Sequence, residues 1–389
     1  LSKIRKRRKV LFLLVLLLFG CGTKKEGIGE KERYEFPKEN FYNEYSRIDK
    51  FFRERYRRGL FNGAVLFAEK DKIIYEKVFG YADFKKREKI KLSSAFQLAS
   101  VSKPVTAIAI LMMTSEGKIS LEDTLGKFFE DFPYRGVKIK HLLEQRSGLP
   151  EYMYFADSLW QDKRNLYLTN EDVLDILIEN KPFRYYKPGV RYNYSNTNYV
   201  LLALILSKVS GKSYGKFLKE NLFEPSGMSN AFVCERRVVE DCRAKVKGYV
   251  NRRRLAGDTY LNGVAGDKNI YASVEDLFNF DKALNEGKLI SKKLLDKAFT
   301  PRHPELYKED NYGYGWRINT REDGSKIVFH TGWWKGFRSY YIKALKEKKT
   351  IIVLSNISNK GILHSPQLAA LFGVKWRLGK KEGAKAPVR

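Results

Sequence analysis

Cysteine and histidine are scarce: the 389 residues hold three of the first, Cys21, Cys234 and Cys242, and four of the second, His141, His303, His330 and His364. None of them falls at the short spacing of a zinc ligand set, and no C-x-x-C occurs, so a zinc finger or a dithiol redox centre is excluded and no cofactor is implied. A run long enough to span a bilayer is also missing. The apolar stretch from Val10 to Phe19 is too short for that. An acidic surface is absent as well: 74 Lys+Arg stand against 45 Asp+Glu, a formal charge of +29. Such a balance raises nucleic acid as a partner. Yet apart from Lys3, Arg5, Lys6, Arg7, Arg8, Lys9 and the tail the cations are scattered, with no basic zipper and no aromatic RNA platform, so no nucleic acid is expected. An anionic envelope polymer or lipid headgroups account for the charge. No internal repeat is visible. With 43% hydrophobic residues the chain can bury a large core.

The order of the N-terminus, cations followed by the short apolar run, is that of a secretory signal. Leu18-Phe19-Gly20-Cys21 resembles the bacterial lipobox, which implies a signal peptide over 1–20, lipidation of Cys21 and attachment to the membrane through that anchor. The polar stretch 21–40 reads as a flexible tether, 41–378 as one folded domain facing periplasm or exterior, and 379–389 as a basic tail. Export permits a disulfide between Cys234 and Cys242.

Within the domain, apolar spacing predicts helices over Phe41–Arg58, Ser102–Glu116, Asn170–Glu179, Ser195–Val209 and Ser273–Asn285. Strand patterns occupy Gly63–Lys70, Lys72–Val78, Gly313–Ile318, Ile327–His330, Arg338–Lys343 and Thr350–Leu354. Strands at both ends with helices between predict an α/β (α+β) fold: an antiparallel sheet drawn from 41–119 and 264–378, with a helical region, 120–263, inserted.

Three short patterns carry chemistry. Ser100-Val101-Ser102-Lys103 is an S-x-x-K at the start of an apolar helix, where residues i and i+3 share a face and an amine can approach a hydroxyl. Taken singly, Ser100 reads equally as a helix N-cap. Ser115-Glu116-Gly117-Lys118 has the same form, but lies where the helix ends. Tyr194-Ser195-Asn196 opens the next apolar helix. A phenol beside an ammonium can be held partly ionised and exchange a proton with serine, and the amide can hold a substrate carbonyl. Tyr260-Leu261-Asn262 competes with it but begins no helix. His330-Thr331-Gly332 ends a β-rich run before Trp333 and Trp334, and glycine there lets a substrate lie along the strand.

In this order the three patterns resemble the S-x-x-K, Y-x-N and K-T-G elements of penicillin-binding proteins and class C β-lactamases, with their D-alanyl peptidase and esterase relatives. The resemblance runs from Gly63 to Asn356. It includes Phe96 to Ser100, Leu142 to Leu149, Tyr194 to Gly211 and Gly266 to Leu277. It implies a β-lactamase/transpeptidase-like fold and a serine hydrolase forming an acyl-enzyme at Ser100, with Lys103 and Tyr194 sharing the proton traffic. Asn196, His330, Thr331, Gly332 and Trp333 would bind substrate, and the N–H groups of Ser100 and Trp333 would form an oxyanion hole. The substrate class implied is a β-lactam, a D-alanyl peptide from peptidoglycan or a carboxylic ester.

His330 departs from the lysine of K-T-G and removes a permanent cation, which Arg338 is expected to restore. The Trp333-Trp334 pair points to an apolar acyl group or a sugar face. Two rival readings are distinct. Gly211-Lys212-Ser213-Tyr214-Gly215 matches a nucleophile elbow but follows a helix rather than a strand. A non-catalytic envelope lipoprotein that binds peptidoglycan or a partner protein would have no need of the Ser100, Lys103 and Tyr194 set.

Overall fold

Seven strands build the main sheet, all pairs antiparallel: β1 (Gly63–Glu69), β2 (Lys72–Phe79), β3 (Asp310–Tyr312), β4 (Arg317–Thr320), β5 (Lys326–Trp334), β6 (Phe337–Ala344) and β7 (Lys349–Ser355), in spatial order β3-β4-β5-β6-β7-β1-β2. The computed structural model describes residues 38–160, 166–234, 245–302, 310–359, 361 and 363–377. The signal 1–20, Cys21, most of the tether, Cys242 and the tail 379–389 lie outside the described residues. Cys234 is buried and disulfide-bonded.

Both faces of the sheet are covered, which explains why its strands are apolar on both sides. In β1, Ala64, Leu66 and Ala68 join one core while Val65 and Phe67 join the other. The second, smaller core is closed by the helices Lys38–Arg57 and Ser365–Leu371, whose Ile48, Phe52, Leu368 and Ala369 pack on the sheet. The first helix starts at Lys38, inside the stretch expected to be tether. On the opposite face lie Val274–Asn285 and Ser102–Ser115. The latter is buried from Ser102 to Met113, as its all-round apolar sequence demands.

Beyond this layer stand the helices Tyr152–Leu159, Asn170–Asn180, Thr197–Ser210 and Tyr214–Leu218. The region is less uniformly helical than expected. A small hairpin, Tyr249–Asn251 with Arg254–Leu255, interrupts it. Another small sheet joins Phe96–Gln97, Ile270–Ala272 and Phe232–Val233, tying the approach to Ser100 to the chain after Gly266. Of the strand expected over Gly313–Ile318 only Arg317 and Ile318 are strand, in β4; Gly313 to Trp316 form the turn between β3 and β4, closed by Gly313 N–H to Trp316 O at 2.9 Å. Its cause is steric: Gly315 has φ +84, and a Cβ there would lie 2.5 Å from Ala107 Cβ. Among the described residues no helix is long and apolar enough to cross a membrane.

Candidate active site

Ser100 sits at the junction of layers. The short strand Phe96–Gln97 ends, Ala99 takes φ +48, and a 3-10 turn, Ala99–Val101, feeds the helix Ser102–Ser115. A left-handed alanine is strained, and such strain persists only where the surroundings over-determine it. Here they do: β5 crosses the turn at Gly332, where a Cβ would lie 3.0 Å from Ala99 Cβ and 2.3 Å from Leu98 O. The turn leaves Ser100 half-buried at the head of a helix that is buried from Ser102 to Met113.

Lys103, one turn on, is sealed from solvent. Its ammonium donates to Ser100 Oγ at 3.0 Å, Asn196 Oδ1 at 2.7 Å and the carbonyl of Asp267 at 3.0 Å, which uses all three protons. It stands 5.0 Å from the Tyr194 ring centroid. Burial lowers its pKa from 10.5 to about 8; the charges of Asp267 and Glu151 oppose that shift and Arg317 adds to it.

The Tyr194 phenol lies beside Ser100, and burial pushes its pKa up against the opposing pulls of Ser100 and Arg317. The expected partly ionised phenol is therefore overturned. Desolvation exceeds the help of neighbouring cations, and Tyr194 holds its proton at neutral pH.

Asn196 is committed on both sides. Its carbonyl faces Lys103, so its amide nitrogen faces Glu151 Oε2 at 3.2 Å; the same oxygen takes the Asn196 backbone N–H at 2.7 Å. The expected substrate-holding amide is thus first a bridge between Glu151 and the lysine. Burial raises the Glu151 pKa.

β5 forms the opposite wall. β4 pairs with it only as far as Arg317↔Phe329, while β6 continues to Phe337↔Trp334, so His330 to Trp334 have no β4 partner. That open edge is where an extended substrate can add as a strand. Trp333 is 64% exposed, whereas Trp334 turns inward and donates from Nε1 to Asn262 Oδ1 at 2.6 Å. The two tryptophans therefore do not share one apolar surface, because adjacent residues of a strand face opposite ways.

His330 is buried, with Nδ1 2.9 Å from Thr331 O and Nε2 3.1 Å from the Tyr312 hydroxyl. A carbonyl only accepts, so Nδ1 carries the hydrogen and Nε2 accepts from Tyr312. Burial, with Arg317 and Lys103 adding, keeps the ring's pKa well below 6.5, and it is neutral. Arg338 does not supply the missing cation. Strand alternation sets it on the other face of the sheet, the face of Tyr340. The cation beside Tyr194 is Arg317, whose guanidinium carbon lies 5.4 Å from the Tyr194 ring centroid.

The structure thus brings Ser100, Lys103, Tyr194, Asn196, His330 and Gly332 together. It adds Glu151, Asp267, Lys268 and Arg317, which no short motif announces. The competing serines stand apart. Ser213 Oγ caps the helix Tyr214–Leu218 by accepting from Lys216 N at 3.2 Å, and Ser115 Oγ donates to Met112 O at 2.7 Å. Among the described residues no group of His, Cys, Asp and Glu could hold a metal ion.

Fold and site together define a serine hydrolase of the penicillin-binding-protein and class C β-lactamase type. The family described as Beta-lactamase matches residues 48–370, and the chain belongs to it. It is similar to Penicillin-binding protein 4* of Bacillus subtilis (strain 168), with 37% identity over 309 residues, covering 76% of this chain and 68% of that protein. It is also similar to the Putative penicillin-binding protein PbpX of the same organism, 29% identical over 308 residues, covering 78% and 72%. Among solved structures, a penicillin binding protein from Bacillus halodurans superposes with a TM-score of 0.71 at 25% identity, covering 83% of this chain and 98% of that one. The octameric penicillin-binding protein homologue from Pyrococcus abyssi gives a TM-score of 0.71 at 27% identity, covering 85% and 78%.

Proposed function

We propose that the protein hydrolyses a small amide or ester through an acyl-enzyme on Ser100, and that penicillins acylate the same serine. The observation that carries this reading is the 3.0 Å bond between a buried Lys103 amine and Ser100 Oγ, with that amine's pKa lowered to about 8. An ordinary lysine holds its proton too tightly to act as a base at neutral pH. At about 8, roughly a tenth of the molecules carry the free amine at pH 7.

In the proposed sequence the neutral Lys103 amine takes the Ser100 proton as Oγ bonds to the substrate carbonyl carbon. The carbonyl electron pair moves to oxygen, facing the N–H groups of Ser100 and Trp333. Tyr194, which holds its proton, gives it to the departing amine or alkoxide as the scissile bond breaks. Lys103 then returns a proton to the phenolate, which leaves the amine neutral again. Water repeats the sequence in reverse and frees the acid. Arg317 supports an anionic group on the substrate near Tyr194, whereas Trp333, opposite Arg338 in the β5–β6 register, projects its ring from the far face and offers the site only its backbone N–H.

The second-order rate at which a fluorophosphonate phosphonylates Ser100, with loss of fluoride, tests the base. It is expected to rise tenfold per pH unit below about 8 and to level off above, because only the neutral amine is competent. A rate already flat between pH 5 and 8 contradicts Lys103 as the base.

A further inference from the structure

Two charged residues lie buried beside Lys103 without touching Ser100. Asp267 and Lys268, 1% and 2% exposed, pair through Oδ2 and Nζ at 3.4 Å. Tyr152 closes the cluster: Lys268 Nζ donates to its hydroxyl, and the hydroxyl donates to Asp267 Oδ2 at 3.2 Å. The Lys268 ammonium also stands 5.0 Å from the ring centroids of both Tyr152 and Trp334.

The cluster reaches the machinery through the main chain, since the Asp267 carbonyl is one of the three acceptors around Lys103 Nζ. That carbonyl is firmly placed. Gly266, at φ +97, packs where a Cβ would lie 2.3 Å from Tyr199 O, and its carbonyl accepts from Thr106 Oγ at 2.7 Å. On the other side Asn269 takes Gln97 Nε2 at 2.5 Å and donates to Val264 O at 2.8 Å.

A carboxylate fixed this close would by itself hold Lys103 protonated and spoil it as a base. The charged groups acting on Lys103 oppose one another. Glu151, from the loop before the helix Tyr152–Leu159, and Asp267 favour the ammonium, while Arg317, from β4, disfavours it. Burial lowers the pKa of Lys268 most, and the repulsion between two buried ammoniums, Lys268 and Lys103, lowers it further. The remaining titratable neighbours, Tyr194, Tyr199 and His330, are held neutral by burial.

We propose that Asp267, Lys268 and Tyr152 form a positioning cluster, in which the Asp267 carbonyl aims the Lys103 amine and the Lys268 ammonium cancels the Asp267 charge so that this amine can shed its proton. The proposal rests on Lys103 being the base. Its test is the pH dependence of serine phosphonylation by a fluorophosphonate, followed by intact mass, for Lys268→Met, Asp267→Asn and the double variant.

Lys268→Met is expected to move the ascending limb up by about one pH unit, with roughly tenfold slower labelling at pH 7 that recovers at higher pH. Asp267→Asn is expected to move it down by a similar amount, and the double variant to return it near the wild-type position. A merely structural cluster would slow labelling at every pH and leave the limb in place, which overturns the proposal. If Lys268→Met does not fold, Asp267→Asn decides, and a limb left unmoved by it overturns the proposal. Labelling that persists in Ser100→Ala would instead overturn the nucleophile assignment, a separately visible failure.

Discussion

Lys103→Met is expected to slow acylation of Ser100 by about 10²- to 10⁴-fold, the usual contribution of a positioned base, while the protein stays as stable as before or becomes more so. The two halves of this result have one origin. A lysine whose pKa falls from 10.5 to about 8 on folding carries a charge that the folded state disfavours, by about 3 kcal/mol below pH 8. Methionine removes that cost. Asn196 Oδ1 and the Asp267 carbonyl each lose a donor in return, at about 1 kcal/mol apiece. The sign with pH follows. Between about 8 and 10.5 the unfolded chain binds more protons at this site than the folded one, so the lysine's contribution to stability rises with pH across that window. Denaturant unfolding of wild type and variant at several pH values should show the wild type gaining on Lys103→Met as pH rises. A variant that is inactive and much less stable at pH 7 would mean that Lys103 is chiefly structural.

Gly332→Ala is the second large effect. An added methyl group would lie 2.3 Å from both Leu98 O and Ser339 Oγ, and 3.0 Å from Ala99 Cβ. Ser339 Oγ donates to Leu98 O, so these atoms lock the turn that presents Ser100. None is the loose end of a flexible chain, and β5 must retreat from that turn. The expected cost is about 1–3 kcal/mol of stability, typical of overpacking. Acylation should fall by at least ~10²-fold, because the Trp333 N–H leaves its place opposite the Ser100 N–H. Denaturation midpoints and fluorophosphonate labelling rates measure the two losses. A stable variant labelled at the wild-type rate would contradict the close crossing of β5 over Ser100.

What the sequence made legible follows the range of the interaction. Ser100 and Lys103 are three residues apart, so helical spacing alone brings them together, and Gly63–Glu69 shows its strand in its own composition. Asn196 was legible as a polar residue at a helix start. Its role as a bridge was not, since the partners that decide it, Glu151 and Lys103, lie 45 and 93 residues away. The Asp267 contact to Lys103 spans 164 residues and uses a backbone carbonyl, which leaves no trace in side-chain type. Arg317 looked like an ordinary strand residue, and Arg338, nearer His330 in sequence, was the more obvious cation until the sheet alternation put it on the far face. The turn at Gly313–Trp316 escaped a periodicity reading because Gly315 answers to Ala107 and Gly313 to the Ala298 carbonyl, both outside the segment.

Intact-mass spectrometry of the protein after incubation with a fluorophosphonate and, separately, with a penicillin, for wild type and Ser100→Ala, tests the central claim most directly. One adduct per chain from each probe, absent in Ser100→Ala, is the predicted result. An adduct that survives Ser100→Ala, or no adduct from either probe on folded wild-type protein, would contradict the assignment of Ser100 as the nucleophile of a working hydrolase.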